Sequence, residues 1–165
     1  MPNQQKESLP MKRVAFVSLL MIAAVLVGVL AACAAPPAAS GPQIKIDDAW
    51  GRPSPMTANA GAFYMTIDNS GTEADKLVGG QSPSCGTVEF HESFKSDDGM
   101  MGMRPVAGGF IEIPAGGQAE FKAGGLHVMC IDKKDDFKVG AKLPLTLNFE
   151  KFGAKTVDVK IRENP

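Results

Sequence analysis

Apolar and polar residues alternate in short runs from Gln43 onward, and glycine, proline, asparagine and aspartate separate the runs. This two-residue period is typical of strands with one buried face, and no segment keeps a helical period over three turns. The pattern predicts an all-β domain, built as a Greek-key sandwich or barrel. The ten predicted strands are 43–50, 61–68, 76–81, 86–94, 100–106, 110–113, 118–122, 126–132, 143–149 and 155–162.

The first 32 residues follow a different pattern. Lys12 and Arg13 precede an uncharged apolar run that ends in Leu-Ala-Ala-Cys at Cys33. Small residues before such a cysteine are typical of a bacterial lipoprotein signal, so we predict an export signal over residues 1–32 and lipidation of Cys33. The alternative is an uncleaved transmembrane anchor, because about 20 apolar residues can span a bilayer.

Residues 33–42 are rich in proline and alanine and predict an extended spacer, followed by one domain over residues 43–165. Both interpretations of the start place that domain outside the cytoplasm, in the periplasm or on the outer face of the cell membrane. From Cys33 onward there are 14 Lys and Arg against 17 Asp and Glu, a formal charge of −3. No basic block occurs, which argues against nucleic-acid binding.

Side chains with metal-binding chemistry concentrate between residues 91 and 129. This stretch holds both histidines of the chain and four of its nine methionines. Imidazole nitrogen and thioether sulfur are neutral ligands, and sulfur is soft, so the mixture prefers Cu(I), whereas zinc prefers thiolates, imidazoles or carboxylates. Thioethers also resist the disulfide formation that an oxidising compartment imposes on thiols. The candidate ligands are His91, Met103, His127 and Met129.

Spacing supports this set. His127 and Met129 are two residues apart on one predicted strand, so their side chains leave the same face. A five-residue turn over 95–99 would place His91 opposite Met103, whereas a two-residue turn at Asp98-Gly99 would place it opposite Val106. Met101 and Met103 are two residues apart on one predicted strand and face the same side, so Met101 is the reserve ligand. Met100 faces the other side and is predicted to be a neighbour without a ligand role.

Several short motifs together resemble the periplasmic copper chaperones called PCu(A)C. The resemblance spans about residues 48 to 129, and the strands that follow also fit. The combination is more specific than any one of its motifs, which are Asp48-Ala-Trp50, Val88-Glu-Phe-His91, Met101-Gly-Met-Arg-Pro-Val106, Ile113-Pro-Ala-Gly-Gly117 and Gly124-Gly-Leu-His-Val-Met129.

The resemblance implies a cupredoxin-like fold that binds one Cu(I) through two histidines and two methionines, carried over to His91, Met103, His127 and Met129. It also implies delivery of copper towards the copper A centre of cytochrome c oxidase, alongside Sco-type proteins. The sequence departs from the family pattern in two ways. The interval from His91 to Met103 is about one residue longer than usual, and the two positions after His91, where relatives often have methionine, are Glu92 and Ser93.

Two further cysteines, Cys85 and Cys130, flank the presumed ligands. An even pair in an exported domain favours a disulfide. The alternative is a Cys130 thiolate on copper, although Cys130 adjoins Met129 and should point to the opposite face of the strand.

We therefore predict a membrane-anchored copper(I) chaperone rather than an enzyme, since no nucleophile arrangement accompanies the two histidines. Two alternatives stay open: a lipoprotein that buffers or scavenges copper, and an electron-transfer cupredoxin. The latter needs a trigonal set of two histidines and one cysteine, which only Cys130 could complete.

Overall fold

The structure is a computed structural model in which residues 41–163 are described. The predicted export signal, the lipidated Cys33 and nearly all of the spacer lie outside the described residues and stay predictions. Among residues 41–163, no helix has the length and apolar character needed to cross a bilayer.

Ten strands account for most of the described chain, and their ends fall within two residues of the predicted ones. The all-β prediction is therefore confirmed. The one helical segment in residues 41–163 is a three-residue 3-10 turn at Ala107–Gly109. The strands are β1 (Ile44–Gly51), β2 (Ala60–Asn69), β3 (Asp75–Gln81), β4 (Thr87–Lys95), β5 (Met101–Pro105), β6 (Ile111–Ile113), β7 (Gln118–Phe121), β8 (Leu126–Ile131), β9 (Lys142–Phe149) and β10 (Gly153–Ile161).

The strands form one continuous sheet in the order β5-β4-β8-β7-β2-β1-β10-β9-β3-β6. The first half of β2 pairs with β8 and its second half pairs with β7. The sheet curls, so that β3 and β4 approach each other although they are far apart in the strand order. All neighbours are antiparallel except two pairs, β1 with β10 and β7 with β8.

The core lies inside this curl, and strand periodicity explains it. In β9, every second residue from Leu143 to Phe149 is buried, as expected for a strand with one face on the core. In β4 and β8, Phe90 and Val128 lie opposite each other and belong to the core. Their odd-numbered neighbours on these strands therefore point to the other face of the sheet.

A β-bulge in β1 sets the position of the only tryptophan. The pairing of β1 with β2 shifts between Asp47 and Trp50, and Asp48 has a positive φ of 49°. The extra residue changes the face on which the following side chains lie. Trp50 is thereby placed opposite Tyr64, with ring centroids 4.6 Å apart.

Candidate metal centre

The two histidines lie directly opposite each other on neighbouring strands. His91 of β4 pairs with His127 of β8, and their ring centroids are 6.0 Å apart. Opposite residues of an antiparallel pair share a face, so both rings lie on the face turned away from the core. The strand register therefore brings together two side chains that are 36 residues apart in the sequence.

His127 has one ring nitrogen that is buried and lacks a partner. Only 3% of the residue is exposed. Its Nδ1 lies 2.9 Å from the carbonyl oxygen of Gly125 and, because a carbonyl can only accept, carries the proton. Within residues 41–163, Nε2 of His127 has no hydrogen-bond partner. A buried polar atom without a partner is costly, and this one presents a lone pair suited to a metal ion.

The turn before β8 fixes that carbonyl. The amide of Gly125 donates to Lys122 O at 3.0 Å, and the amide of Lys122 donates to Leu126 O at 2.8 Å. Gly124 has a φ of 79°, which glycine adopts without steric cost. The Gly-Gly pair thus makes a tight turn that aims the Gly125 oxygen at the imidazole.

His91 has a different partner. Its Nε2 lies 2.9 Å from Oε2 of Glu89, two residues earlier on the same face of β4. Glu89 in turn pairs with Met129 across β8. A carboxylate therefore lies beside the two histidines, a group that the sequence pattern alone did not assign to the site.

Met129 and Met103 lie on the same face as the histidines. Met129 follows His127 by two residues, and Met103 of β5 pairs with Ser93, two residues after His91 on β4. Both predicted registers of the hairpin were wrong, because His91 lies opposite Pro105 rather than Met103 or Val106. The four candidate ligands thus occupy three adjacent strands of one sheet, and Met103 is a diagonal neighbour of His91.

The loop between β4 and β5 explains the different register. Lys95 and Met101 form the last pair, so the loop is 96–100 instead of 95–99. It is closed by the Ser96 amide, which donates to Met100 O at 2.8 Å, and by the Gly99 amide, which donates to Ser96 O at 2.9 Å. Moving this five-residue loop by one position shifts the pairing partner of every β4 residue by two.

Met101 and Met100 lie farther from the histidines. Met101 pairs with Lys95, four residues along β4 from His91, which is roughly 13 Å at 3.3–3.4 Å per residue. Met103 is two residues along, or roughly 7 Å. Met100 lies in the loop. The geometry of the hairpin thus favours Met103 over the reserve ligand Met101.

The site opens into a cleft of about 430 Å³. Its lining includes three of the candidate ligands, His127, Met129 and Met103, together with Tyr64. Met103 is 62% exposed, so a thioether is directly accessible from solvent. An ion held here would be reachable by a second protein.

A buried lysine holds one wall of the cleft in place. Arg52, Pro53 and Ser54 line this wall. Lys133 Nζ donates to Ser54 O at 2.6 Å, to Ser54 Oγ at 2.9 Å and to Pro55 O at 2.9 Å. Burial lowers the pKa of Lys133, and the charge of Asp136 partly opposes that shift. The wall is therefore fixed by interactions that do not use the candidate ligands.

Tyr64 extends the row of rings from His127 to Trp50. The centroids of Tyr64 and His127 are 6.5 Å apart, and the Arg52 guanidinium lies 5.9 Å from the Tyr64 ring. Burial raises the pKa of the Tyr64 hydroxyl, and Arg52 only partly opposes this effect. The phenol is consequently neutral at physiological pH, which makes it a poor ligand in comparison with the imidazoles.

Cys85 and Cys130 form a disulfide in the structure. Cys130 is fully buried and lies opposite Val88, on the face of β8 turned away from Met129. Cys130 therefore has no free thiol for copper, and the thiolate alternative is wrong. The disulfide joins the segment that leads into β4 to strand β8, and these two strands carry His91 and His127.

Known proteins with similar sequences place the chain in a family. Residues 44–161 match the LpqE-like family model. The chain belongs to the LpqE-like family. An uncharacterised protein of Rickettsia prowazekii, RP573, is 30% identical over 120 residues, which cover 70% of this chain and 65% of that relative. The chain thus spans about two thirds of the length of this relative.

Solved structures extend the comparison to copper proteins. The copper-bound PCuAC domain of PmoF2 is 28% identical, with a TM-score of 0.60 over 77% of this chain and 97% of that domain. The apo PCuAC domain of PmoF1 is 27% identical, with a TM-score of 0.61 over 74% and 94%. The Cu(I) form of DR1885 from Deinococcus radiodurans is 26% identical, with a TM-score of 0.51 over 80% and 83%.

These matches confirm the resemblance to PCu(A)C proteins and the cupredoxin-like fold of the LpqE-like chain. Within residues 41–163, no three His, Cys, Asp or Glu side chains are grouped to hold a metal ion. The thioether-bearing residues Met129 and Met103 share the sheet face of His91 and His127. The residue that sequence reasoning missed is Glu89, although its two-residue spacing from His91 signals a shared strand face.

Proposed function

We propose that this protein is an extracytoplasmic copper(I) chaperone, anchored to the membrane through lipidated Cys33. The observation that carries the proposal is the partnerless Nε2 of His127, which lies in an open cleft opposite His91 and on the same face as Met129 and Met103. Two imidazoles and two thioethers form a soft, neutral ligand set that suits Cu(I).

The site suits transfer of a copper ion to another protein rather than catalysis of a reaction. Met103 is exposed, whereas His127 is buried, so the ion would be held by a fixed imidazole and an accessible thioether. A partner could replace the thioether first and take the ion by ligand exchange. The electron-transfer alternative is disfavoured, because Cys130, the cysteine that adjoins Met129, is held in the disulfide with Cys85.

We further propose that the acceptor is the copper A subunit of cytochrome c oxidase, with Sco-type proteins as intermediaries. The family resemblance supports this assignment. To test it, the Cu(I)-loaded protein is incubated with a soluble copper A domain and metal transfer is followed by the absorption of the dinuclear centre. Appearance of that absorption supports delivery, whereas retention of copper by this protein supports the buffering or scavenging alternative.

Replacing Met103 by leucine should lower Cu(I) affinity by about tenfold or more, because leucine fills similar space but lacks the sulfur ligand. Met100→Leu is the matched control, since Met100 is similarly exposed but lies in the loop. Competition with a Cu(I) chelator measures both affinities. If Met101→Leu causes the larger loss, Met101 rather than Met103 is the ligand.

Cu(I) affinity should fall as the pH drops below about 6, because an imidazole must be neutral to bind metal and takes up a proton in mildly acidic solution. With two imidazole ligands the decline approaches about 100-fold per pH unit at its steepest, and one imidazole gives about tenfold. Chelator competition between pH 7 and pH 5 measures the slope. An affinity that does not change over this range contradicts imidazole ligation.

A further inference from the structure

Glu89 contacts His91. A backbone carbonyl fixes which ring nitrogen of His127 carries the proton, but the partner of His91 is this carboxylate. Its Oε2 lies 2.9 Å from His91 Nε2, and a carboxylate can only accept from the ring N–H. We infer that Glu89 is a positioning residue that holds His91 with its proton on Nε2, so that Nδ1 of His91 is the nitrogen available to copper. The copper part of this inference rests on the proposed function.

The two histidines then present different nitrogens. His127 is oriented by the Gly125 carbonyl through Nδ1 and offers Nε2. His91 is oriented by Glu89 through Nε2 and offers Nδ1. Metal-binding histidines commonly donate their second N–H to a carboxylate or a carbonyl, which fixes the tautomer and strengthens the ligand. Here His127 donates to a carbonyl and His91 donates to a carboxylate.

The surroundings of Glu89 fit this role. Within residues 41–163, the Glu89 carboxylate contacts His91 and forms no ion pair with a lysine or arginine. Its opposite neighbour on β8 is Met129, so the carboxylate lies next to two candidate ligands. Because the four proposed ligands are neutral, bound Cu(I) would give the site a net positive charge. The Glu89 carboxylate is placed to balance it.

Glu92 provides a matched control. It adjoins His91 on the same strand, but its Oε1 accepts from Arg104 Nε at 2.8 Å. By strand alternation its side chain leaves the opposite face of β4. A change at Glu92 therefore removes a nearby carboxylate without removing the partner of His91.

The direct test is the tautomer of His91 in the metal-free, intact protein, measured by long-range ¹H–¹⁵N correlation at about pH 8, where imidazole is neutral. We expect the Nε2–H form of His91 and the Nδ1–H form of His127 in the wild type. Glu89→Ala should give a mixture at His91, whereas Glu89→Gln should keep the Nε2–H form, because its amide oxygen still accepts. Glu92→Ala should leave both histidines unchanged.

Copper binding is the second measurement. Glu89→Ala should lower Cu(I) affinity by about 10–100-fold, the usual effect of removing such a partner, and Glu92→Ala by less than about threefold. In the Cu(I)-loaded wild type, the ¹⁵N shifts should move at Nδ1 of His91 and at Nε2 of His127.

The outcomes separate this inference from the proposed function. A wild-type His91 in the Nδ1–H form, or a Glu89→Ala variant with unchanged tautomer and affinity, overturns the inference while leaving copper binding intact. A wild-type protein that binds no Cu(I) overturns the proposed function, and the metal-free spectra still decide whether Glu89 sets the tautomer.

Discussion

Replacing His127 and Met129 together by alanine should reduce Cu(I) affinity by at least about 1,000-fold, the largest effect that we expect from any change at the site. Four-ligand structural zinc sites bind with roughly 10–16 kcal/mol in total, and on that scale each ligand contributes about 3 kcal/mol, or about 100-fold. The loss of two ligands on one strand leaves His91 and Met103, which no longer surround an ion. Chelator competition measures the change.

His127→Ala should leave the domain folded, because the Gly125 carbonyl that loses the imidazole N–H still accepts from the Ser93 amide at 3.1 Å. Loss of the buried ring should lower the free energy of unfolding. Thermal unfolding of each variant checks this point. Met56→Ala serves as the methionine control, since Met56 is half-exposed and is not among the residues that line the cleft. A double variant that binds Cu(I) as tightly as the wild type contradicts the proposed site.

Removing the disulfide should have the largest effect on stability. Cys85 and Cys130 are 45 residues apart, and a cross-link that closes a loop of this length is worth about 4 kcal/mol by the chain-entropy relation. We therefore expect the Cys85→Ala, Cys130→Ala double variant to lose about 3–4 kcal/mol of unfolding free energy. Denaturant titration, fitted with a common slope, measures the loss.

Reduction of the wild-type protein is the matched control for this variant, since it opens the same loop without changing side-chain volume. The stability losses of the reduced protein and of the double variant should differ by no more than about 1 kcal/mol. The difference arises because Ala at position 130 also leaves a small cavity in the core. Cu(I) affinity should fall by less than about tenfold, since the ligands lie on the opposite face of β8 from Cys130. A stability loss below about 1 kcal/mol contradicts the role of the disulfide as a brace between the segments that lead to His91 and His127.

The strand pattern is readable from the sequence because each strand has one buried face. In β9 the alternation of Leu143, Leu145 and Leu147 with polar residues leaves little choice of face. The same two-residue parity is enough to predict that His127 and Met129 share a face of β8. Local alternation therefore predicts the elements, and it predicts which residues of one strand lie on the same side.

The pairing of Met103 could not be predicted in the same way. The register of β4 with β5 depends on which residues close the loop, and the choice between 95–99 and 96–100 rests on hydrogen bonds of Ser96 and Gly99. Composition does not distinguish these loops, because both contain the same Asp-Asp-Gly turn residues. Five-residue loops at 95–99 and 96–100 both place Met103 on the face of His91, whereas a two-residue turn at Asp98-Gly99 would place it on the other face. Neither the face of Met103 nor its opposite neighbour, Ser93, was therefore fixed by the sequence.

The orientation of the imidazole rings also could not be predicted from the sequence. That Gly125 accepts from His127 depends on a turn whose carbonyl direction only the folded backbone defines. The contact of Glu89 with His91 depends on side-chain torsions, although the spacing of the two residues places them on one strand face. These two contacts decide which nitrogens face an ion.

X-ray absorption at the copper edge tests the central claim most directly, because it reports the atoms bound to the metal. The protein is loaded with one equivalent of Cu(I), and the first shell is fitted for nitrogen and sulfur scatterers. We expect a mixed shell of two nitrogens and two sulfurs, with one sulfur lost in Met129→Leu. A first shell that contains nitrogen and oxygen only, or an unchanged shell in that variant, would contradict a His/Met copper(I) site.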